Sequence, residues 1–141
     1  MGTTNLKLSI DVEILITENI YRMKNTLVLG ASLKPERYSN KAIYKLVEKG
    51  IKTFAFGLRA GEIAGVAVST TISTIEDIHT VTLYLNPRRQ EEFYTTIVSL
   101  KPKRVLFNPG TENPKFYDIL KKHKIAYEEA CTLVLLATNQ Y

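Results

Sequence analysis

The sequence predicts an α/β domain in which a doubly wound, mainly parallel sheet carries helices on both faces. From Thr26 onward, short β-branched or apolar runs alternate with amphipathic stretches, which is the pattern of parallel strands joined by helices. Most of the runs end in Gly, Pro or Asn, the residues that strand-to-helix turns favour. With 141 residues, 45% of them hydrophobic, the chain has the size of one domain with one core.

Five elements are predicted in the first half of this alternation. A strand over Thr26 to Gly30 leads to a helix over Ser39 to Lys49, which Gly50 ends. The residues expected on the buried face of that helix are Ala42, Ile43, Leu46 and Val47. Strands over Lys52 to Phe56 and Gly65 to Val68 follow, with a turn at residues 59–62 between them. Residues 73–76 have the spacing of a capping box and predict a brief helix.

The second half contains two further strand and helix pairs. Strands are predicted over Thr80 to Leu85 and Arg104 to Phe107. Each is followed by an Asn-Pro pair that begins a helix, because Asn can cap a helix and Pro suits its first position. These helices run from Pro87 to about Ser99 and from Pro114 onward, and their expected inward residues are Phe93, Ile97, Val98, Leu100, Phe116, Ile119 and Leu120.

The two ends of the chain are less regular. A last parallel strand is predicted over Ile125 to Glu128, and residues 132–137 form a buried segment that is either strand or turn. Residues 1–25 are expected to form a helical or extended segment packed on a domain made by residues 26–141. Alternation from Leu6 to Ile14 favours a strand, but the spacing over Asp11 to Met23 favours a helix, which we prefer.

The chain is expected to be cytoplasmic and to have no membrane partner. It has no apolar run of the roughly 18 to 20 residues that a membrane span needs. The N-terminus also lacks the basic and then apolar plan of a signal peptide. Cys131 has no second cysteine with which to form a disulfide within the chain, and its apolar neighbours predict a buried, unreactive thiol.

Four of the loops that follow predicted strands are rich in small or rigid residues. They cover residues 30–32, 57–59, 85–87 and 108–110, and in a doubly wound sheet they meet at one edge. The first loop is expected to present unpaired backbone N–H groups of Gly30, Ala31 and Ser32 to a phosphate, and the helix that follows adds an N-terminus that favours an anion. Arg37 and Arg59 can add charge-assisted hydrogen bonds. Together these loops predict a binding site for a phosphorylated ligand.

The same residues disfavour other classes of site. The dinucleotide fingerprint fails because Ser32 replaces its second glycine and no acidic residue closes the second strand, where Gly57 stands. NAD is therefore disfavoured, whereas NADP stays open because Arg59 can meet a 2′-phosphate. No metal-ligand spacing, nucleophile elbow or Walker lysine loop is present. His79 and His123 are expected at the opposite edge of the sheet, away from these loops.

The net charge of +5 suits a polyphosphate ligand without requiring one. The tightest basic cluster, Lys101 to Arg104, precedes a strand and is expected to form a solvated turn at the opposite edge. Because no aromatic platform accompanies this cluster, nucleic acid is not expected as a partner.

The loop residues resemble a known family. The segments that carry the resemblance are Val28 to Ser32, Arg37 to Ser39, Gly57 to Arg59, Phe107 to Asn113 and Ala130-Cys131. In this order they resemble the stand-alone CoA-binding domain family, which is related to the nucleotide-binding domain of succinyl-CoA synthetase. The resemblance spans about residues 18–136. It implies a Rossmann-like fold in which the nucleotide end of CoA lies across the carboxyl edge of the sheet.

The resemblance also implies the ligand, coenzyme A or an acyl-CoA, and the residues that hold it. By position, these cofactor-binding residues are Gly30, Ala31, Ser32, Arg37, Ser39, Gly57, Arg59, Leu85, Asn86, Pro109 and Gly110. Leu85 and Asn86 stand where the family often has arginines, and Asn108 stands where it often has glutamine.

Since the loops offer no catalytic group, we expect a non-catalytic binder that serves as a sensor or regulator and acts on an unknown protein partner. Two alternatives remain. One is an NAD(P)-binding domain of an oxidoreductase or redox sensor, and the other is a subunit that acts through protein contacts alone.

Overall fold

The computed structural model describes Val12 and residues 24–72 and 75–141. Apart from Val12, the helix expected over Asp11 to Met23 lies outside these residues. The described strands are β1 (Thr26–Leu29), β2 (Thr53–Phe56), β3 (Gly61–Ile63), β4 (Val66–Ser69), β5 (Thr80–Leu83), β6 (Arg104–Phe107) and β7 (Ala126–Glu129). The described helices are α1 (Tyr38–Glu48), α2 (Pro87–Gln90), α3 (Tyr94–Leu100), α4 (Pro114–Lys122) and α5 (Thr132–Ala137), with a 3₁₀ turn over Glu91–Phe93 between α2 and α3.

The strands form one sheet in the order β3-β4-β2-β1-β5-β6-β7. Only β3 is antiparallel to its neighbour, and every other pair is parallel. Without β3, the order by position in the chain is third, second, first, fourth, fifth and sixth, which is a doubly wound sheet whose order reverses between β1 and β5. Leu27 of β1 lies between Phe54 of β2 and Val81 of β5. The predicted sheet is therefore confirmed.

Helices cover both faces of the sheet, as predicted. Side chains on a strand alternate between the faces, so Leu27 and Leu29 pack in one core cluster and Val28 packs in the other. The first cluster includes Ile97 of α3 together with Phe116 and Leu120 of α4. The second includes Ile43 and Leu46 of α1 and Leu136 of α5. Burial on both faces explains why β1 and β6 carry adjacent apolar residues, and in β5 the threonines Thr80 and Thr82 are buried as well.

The hairpin of β3 and β4 was not predicted. Its first strand includes Gly61 and Glu62, which the sequence analysis assigns to a turn. The actual turn is Ala64-Gly65, where both residues have positive φ, 51° and 80°. Positive φ at both central residues defines the two-residue hairpin turn that matches strand twist. Ala rarely adopts this conformation, so the sequence carried no strong signal for it.

Three smaller predictions also need correction. Residues 132–137 form a helix rather than a strand or turn. Ile75 and Glu76, in the region of the predicted capping box, are not helical, while Ser73 and Thr74 lie outside the described residues. Val47 is 38% exposed, because α1 turns the polar residues Ser39 and Asn40 inward and the buried stripe ends at Leu46.

Tyr141 closes the amino edge of the sheet. Its phenol is buried and shares a hydrogen bond with the Thr26 hydroxyl, while the Arg104 guanidinium lies 4.5 Å from the ring centroid. Lys24 donates to the Tyr141 carbonyl oxygen. The described helices include none with the length and apolar character that crossing a membrane requires.

Candidate functional site

The structure brings all the residues of the predicted site to the carboxyl edge of the sheet. The loops that follow β1, β2, β5 and β6 open there, because these strands are parallel neighbours. The residues placed along this edge are Gly30, Ala31, Ser32, Arg37, Ser39, Gly57, Arg59, Leu85, Asn86, Pro109 and Gly110. These residues lie on both sides of the point between β1 and β5 where the strand order reverses. Ligands of doubly wound sheets bind at such a point.

The loops after β1 and β2 are packed backbone against backbone. The N–H groups of Gly30 and Ala31 both donate to the Phe56 carbonyl, at 2.9 and 2.8 Å. A Cβ on Gly57 would lie 2.2 Å from the Ala31 carbonyl oxygen, so only glycine fits there. Gly30 has a φ of 101°, in the region that favours glycine. Both glycines therefore shape the edge.

Ser32 and Ser39 tie the first loop to α1. The Ser39 hydroxyl, which is buried, accepts the Ser32 N–H at 3.1 Å, and the Asn40 amide donates to the Ser32 carbonyl at 2.9 Å. This overturns one expectation. The N–H groups of Gly30, Ala31 and Ser32 were expected to be unpaired and available to phosphate, yet all three are used within the protein.

The start of α1 has backbone N–H groups that are available to a ligand. Among the described residues, no acceptor pairs with the N–H groups of Tyr38 and Ser39. The residue before the helix is Arg37, whose extended backbone supplies no side-chain cap, and the first turn contains no acidic residue. An anion placed here would receive backbone hydrogen bonds and the favourable end of the helix dipole.

Three cations in the segments after β1 and β2 have no carboxylate partner among the described residues. Lys34, Arg37 and Arg59 are exposed. The ion pairs found in the described residues join Lys45 to Glu48 and Lys115 to Glu91, so none of the three takes part in them. Their charges are therefore free to act on a ligand.

Exposed apolar side chains lie in the same two loops. Leu58, next to Arg59, is 73% exposed, and Tyr38 is 69% exposed. Leu33 reaches across to the start of β3, because a Cβ built on Gly61 would lie 2.6 Å from its side chain. A site with apolar and cationic groups side by side can accept a ligand that has a flat ring and phosphates.

The loop after β5 contains Leu85 and Asn86, which the family resemblance gives as cofactor-binding residues. Leu85 is buried and packs beneath Gly30, 3.1 Å from where a Cβ on that glycine would lie. The Asn86 side chain caps α2 by accepting the Arg89 N–H at 3.0 Å. Leu85 therefore offers no polar side-chain atom to a ligand, and the side-chain oxygen of Asn86 is committed to the helix cap. The exposed cations of this loop are Arg88 and Arg89, which the sequence analysis missed although the paired arginines directly follow the Asn-Pro turn.

Asn108 joins three elements beneath the edge. Its amide donates to the Thr82 hydroxyl at 2.7 Å and to the Leu83 carbonyl at 2.9 Å. The side-chain oxygen Oδ1 of Asn108 accepts the N–H of Thr132 at 2.8 Å, which anchors the start of α5 on the sheet. Asn108 is buried, so its role in this structure is to position its neighbours.

A second buried amide network fixes the loops after β5 and β6. The Gln90 amide donates to the carbonyls of Leu85 and Thr111, both at 2.8 Å. Its oxygen accepts from Asn113 at 2.9 Å, and Asn113 in turn caps α4. Among the described residues, no buried side-chain nitrogen or oxygen lacks a partner. A fully satisfied network of this kind holds the edge rigid.

Pro109 and Gly110 form the exposed tip of the loop after β6. Gly110 has a φ of 91°, and its N–H donates to the Glu112 carboxylate at 2.6 Å. The tip is therefore already occupied by a carboxylate of the chain, which makes it a less favourable place for phosphate than the start of α1.

Tyr84 and Cys131 lie farther along the edge. Burial raises the pKa of the Tyr84 phenol well above its usual value, against the opposing effect of the Thr132 and Thr82 hydroxyls. Cys131 precedes α5 and is half-buried, so the expectation of a fully buried thiol is wrong. The six residues of α5 are too few to show a clear periodicity, which is why the sequence did not place the thiol at a helix start.

The histidines lie at the opposite edge, as expected. His79 precedes β5 and His123 ends α4. Burial lowers the pKa of His79, and the charges of Arg104, Lys24 and Lys103 lower it further. The described residues contain no cluster of three or more potential metal ligands.

These features define a doubly wound α/β domain whose helix α1 begins uncapped at the edge where the strand order reverses. Comparison with protein families agrees with this class, because the model of the CoA binding domain family matches residues 24–137. The chain belongs to this CoA-binding family. Among curated proteins, none matches the chain.

Solved structures share the fold. A protein of uncharacterised function is 42% identical, with a TM-score of 0.81 over 84% of this chain and 98% of the other. A Thermus thermophilus protein is 19% identical, with a TM-score of 0.73 over 93% and 98% of the two chains. A hypothetical protein from Pyrococcus horikoshii OT3 is 23% identical, with a TM-score of 0.70 over 89% of each chain. The last two, at this identity, support the fold alone.

Proposed function

We propose that the protein binds coenzyme A or an acyl-CoA through its nucleotide end, without catalysing a reaction, and serves as a sensor or regulator of that ligand. The observation that carries this proposal is the uncapped start of α1. There the N–H groups of Tyr38 and Ser39 have no acceptor among the described residues, and Lys34, Arg37 and Arg59 have no ion-pair partner.

The diphosphate of the ligand would lie at the start of α1. Two backbone N–H groups and the Arg37 side chain can then share its charge. This arrangement differs from the one that the family resemblance implies, since the N–H groups of residues 30–32 are used within the protein. In the proposal, the small residues at this edge instead let the ligand approach the backbone closely; they are Gly30, Ala31 and Gly57.

The adenosine part would lie on the β2 side of the diphosphate. Leu58 and Tyr38 offer exposed apolar surface for the ring, and Arg59 is the cation available to the 3′-phosphate. On the other side, β5 is the direct neighbour of β1, and adjacent strands lie about 4.8 Å apart. Arg88 and Arg89 are then placed to attract the diphosphate from that side.

The non-catalytic part of the proposal rests on where the reactive side chains lie. Both histidines are at the amino edge, on the far side of the sheet from the proposed ligand. Two of the side chains beneath the carboxyl edge, those of Asn108 and Gln90, are neutral amides committed to hydrogen bonds within the protein. Such an edge suits recognition of a ligand better than acid or base chemistry.

Isothermal titration with CoA, acetyl-CoA, dephospho-CoA, NAD, NADP and ATP tests the proposal. We expect CoA and acetyl-CoA to bind, and dephospho-CoA to bind more weakly because it lacks the 3′-phosphate. At about 100 times its dissociation constant, a ligand should raise the free energy of unfolding by about 2.7 kcal/mol, which a thermal-shift assay detects. Binding of every CoA species that is millimolar or weaker would refute the proposal.

NADP is the alternative ligand, because Arg59 follows β2 where a 2′-phosphate would be met in a dinucleotide site. The same titrations decide between the two. Tight binding of NADP with weak binding of CoA would replace the present proposal by a dinucleotide-binding one. Turnover of acetyl-CoA to free CoA during titration would instead contradict the non-catalytic role.

A further inference from the structure

A cavity of about 360 Å³ lies at the amino edge of the sheet, between the ends of α3 and α4. It is lined by Val98, residues 101–103 and residues 123–125. We call it the basic groove, because three of these residues are lysines, Lys101, Lys103 and Lys124, and none is acidic. The site proposed for CoA is at the opposite edge, so nothing proposed above occupies this groove.

The floor of the groove is apolar. Pro102 and Ile125 are buried and Val98 is half-buried, while the three lysines are exposed around them. None of these lysines is part of the ion pairs found in the described residues. Of the three, Lys103 also acts on His79, whose pKa is lowered mainly by burial, then by the charges of Arg104 and Lys24, and last by that of Lys103.

The backbone N–H groups of the groove are not available to a ligand. Among the lining residues after α3 and α4, every backbone N–H donates to a carbonyl oxygen of the chain. These residues are Lys101, Lys103, His123, Lys124 and Ile125. A compact phosphate site usually relies on free backbone N–H groups, and a nucleic-acid site relies on aromatic rings or arginine forks. The groove offers lysine side chains and an apolar floor instead.

The lysines also offset the negative ends of α3 and α4, which point toward the groove. That effect accounts for cations near the helix ends. It does not account for an apolar floor enclosed by three of them.

We propose that the basic groove docks an acidic peptide segment of a protein partner. One apolar side chain of the partner lies on the floor formed by Val98, Pro102 and Ile125, and its carboxylates meet Lys101, Lys103 and Lys124. Because the groove and the carboxyl edge are on opposite sides of the sheet, the partner does not compete with a ligand at the other edge.

Fluorescence anisotropy with a fluorescein-labelled, glutamate-rich peptide that carries one central leucine tests this. We expect saturable binding to the full chain that weakens as salt is added. Reversing two charges of the groove, Lys101→Glu with Lys124→Glu, should weaken binding about tenfold, which corresponds to about 1.4 kcal/mol. Replacing the leucine of the peptide by serine should weaken binding too, because the floor would lose its apolar partner.

The matched control is Lys121→Glu with Lys122→Glu, which makes the same change in net charge on α4 outside the groove. Circular dichroism and thermal unfolding check that both variants fold. Equal losses in the two variants, or no effect of the leucine, would overturn the proposal in favour of general charge attraction. Tighter binding of a single-stranded oligonucleotide than of the peptide, with the same dependence on Lys101 and Lys124, would overturn it in favour of nucleic acid.

Discussion

Arg59 is the residue on which the proposed ligand depends most directly. It is exposed, has no ion-pair partner among the described residues and follows β2. Arg59→Ala should weaken CoA binding by about 1.5 to 3 kcal/mol, the range for hydrogen bonds to charged groups. Isothermal titration measures the change. If Arg59 meets the 3′-phosphate, the variant should bind CoA and dephospho-CoA with nearly equal affinity.

Lys122→Ala is the control for Arg59→Ala, since it removes a charge at a distance from the carboxyl edge. It should leave CoA affinity unchanged. Full CoA affinity in a folded Arg59→Ala protein would contradict the assignment of this arginine.

Gly57 and Gly61 allow a second test at the scale of single residues. Gly57→Ala should lower the free energy of unfolding by about 1 to 3 kcal/mol, because the new Cβ would meet the Ala31 carbonyl oxygen at 2.2 Å and the backbone must shift. Gly61→Ala should cost less, since its Cβ meets only the end of the flexible Leu33 side chain. Urea denaturation of both variants measures the difference. A Gly61→Ala protein that is the less stable of the two would show that the contact between the β1 and β2 loops is not rigid.

At the scale of elements, Asn108 attaches α5 to the sheet. Asn108→Ala would leave the buried Thr132 N–H without its acceptor, while the Thr82 hydroxyl would keep only its hydrogen bond with the Thr132 hydroxyl, at a cost of about 1 to 3 kcal/mol. Asn86→Ala is the comparison, because it removes an exposed helix cap worth about 1 kcal/mol. Chemical denaturation should rank Asn108→Ala as the more damaging change. Equal stability of the two variants would mean that water replaces the Asn108 amide.

The elements that could be predicted are those whose signal is local. The central strands β1 and β6 contain apolar runs, and the Asn-Pro pairs at residues 86–87 and 113–114 each begin a helix, as predicted. The hairpin strand β3 has one buried residue, Ile63, and its turn uses an alanine at positive φ, so no short-range pattern marks it. The helix α5 is too short for periodicity to separate it from a strand.

The candidate site was predictable in position but not in detail. The topology alone brings the loops to one edge, whereas the pairing of the Gly30 and Ala31 N–H groups depends on Phe56 from another strand. Contacts of this kind are distant in sequence and leave no local trace. Arg88 and Arg89 are the opposite case, since their signal was present next to Pro87 and was overlooked.

At the scale of the whole molecule, buried tyrosines should make the fold sensitive to alkali. Burial and the hydrogen bond to Glu129 raise the pKa of Tyr117 to about 12, and burial raises the pKa values of Tyr84 and Tyr141. An unfolded tyrosine has a pKa of about 10, so above that pH the unfolded chain releases protons that the folded chain retains. The contribution of these tyrosines to the free energy of unfolding should therefore be steady below about pH 10 and fall as the pH rises further.

Urea denaturation at a series of pH values measures this loss of stability. Tyr117→Phe removes one of the titrating groups and should make the fall between about pH 10 and 12 less steep. An identical slope in the variant would show that Tyr117 does not titrate differently in the two states.

The central position of β1 determines when the carboxyl edge can form. Thr26 pairs with Thr80 on one side and with Thr53 on the other, so the strand that leads into α1 gains its second neighbour only after half of the chain has been made. Closing so long a loop is costly in entropy and slows folding. On a ribosome, β1 must therefore wait with one side unpaired while β5 is synthesised. A ligand at the proposed site would then arrive too late to guide the early steps of folding, and its binding would report that β1 has gained both of its neighbours.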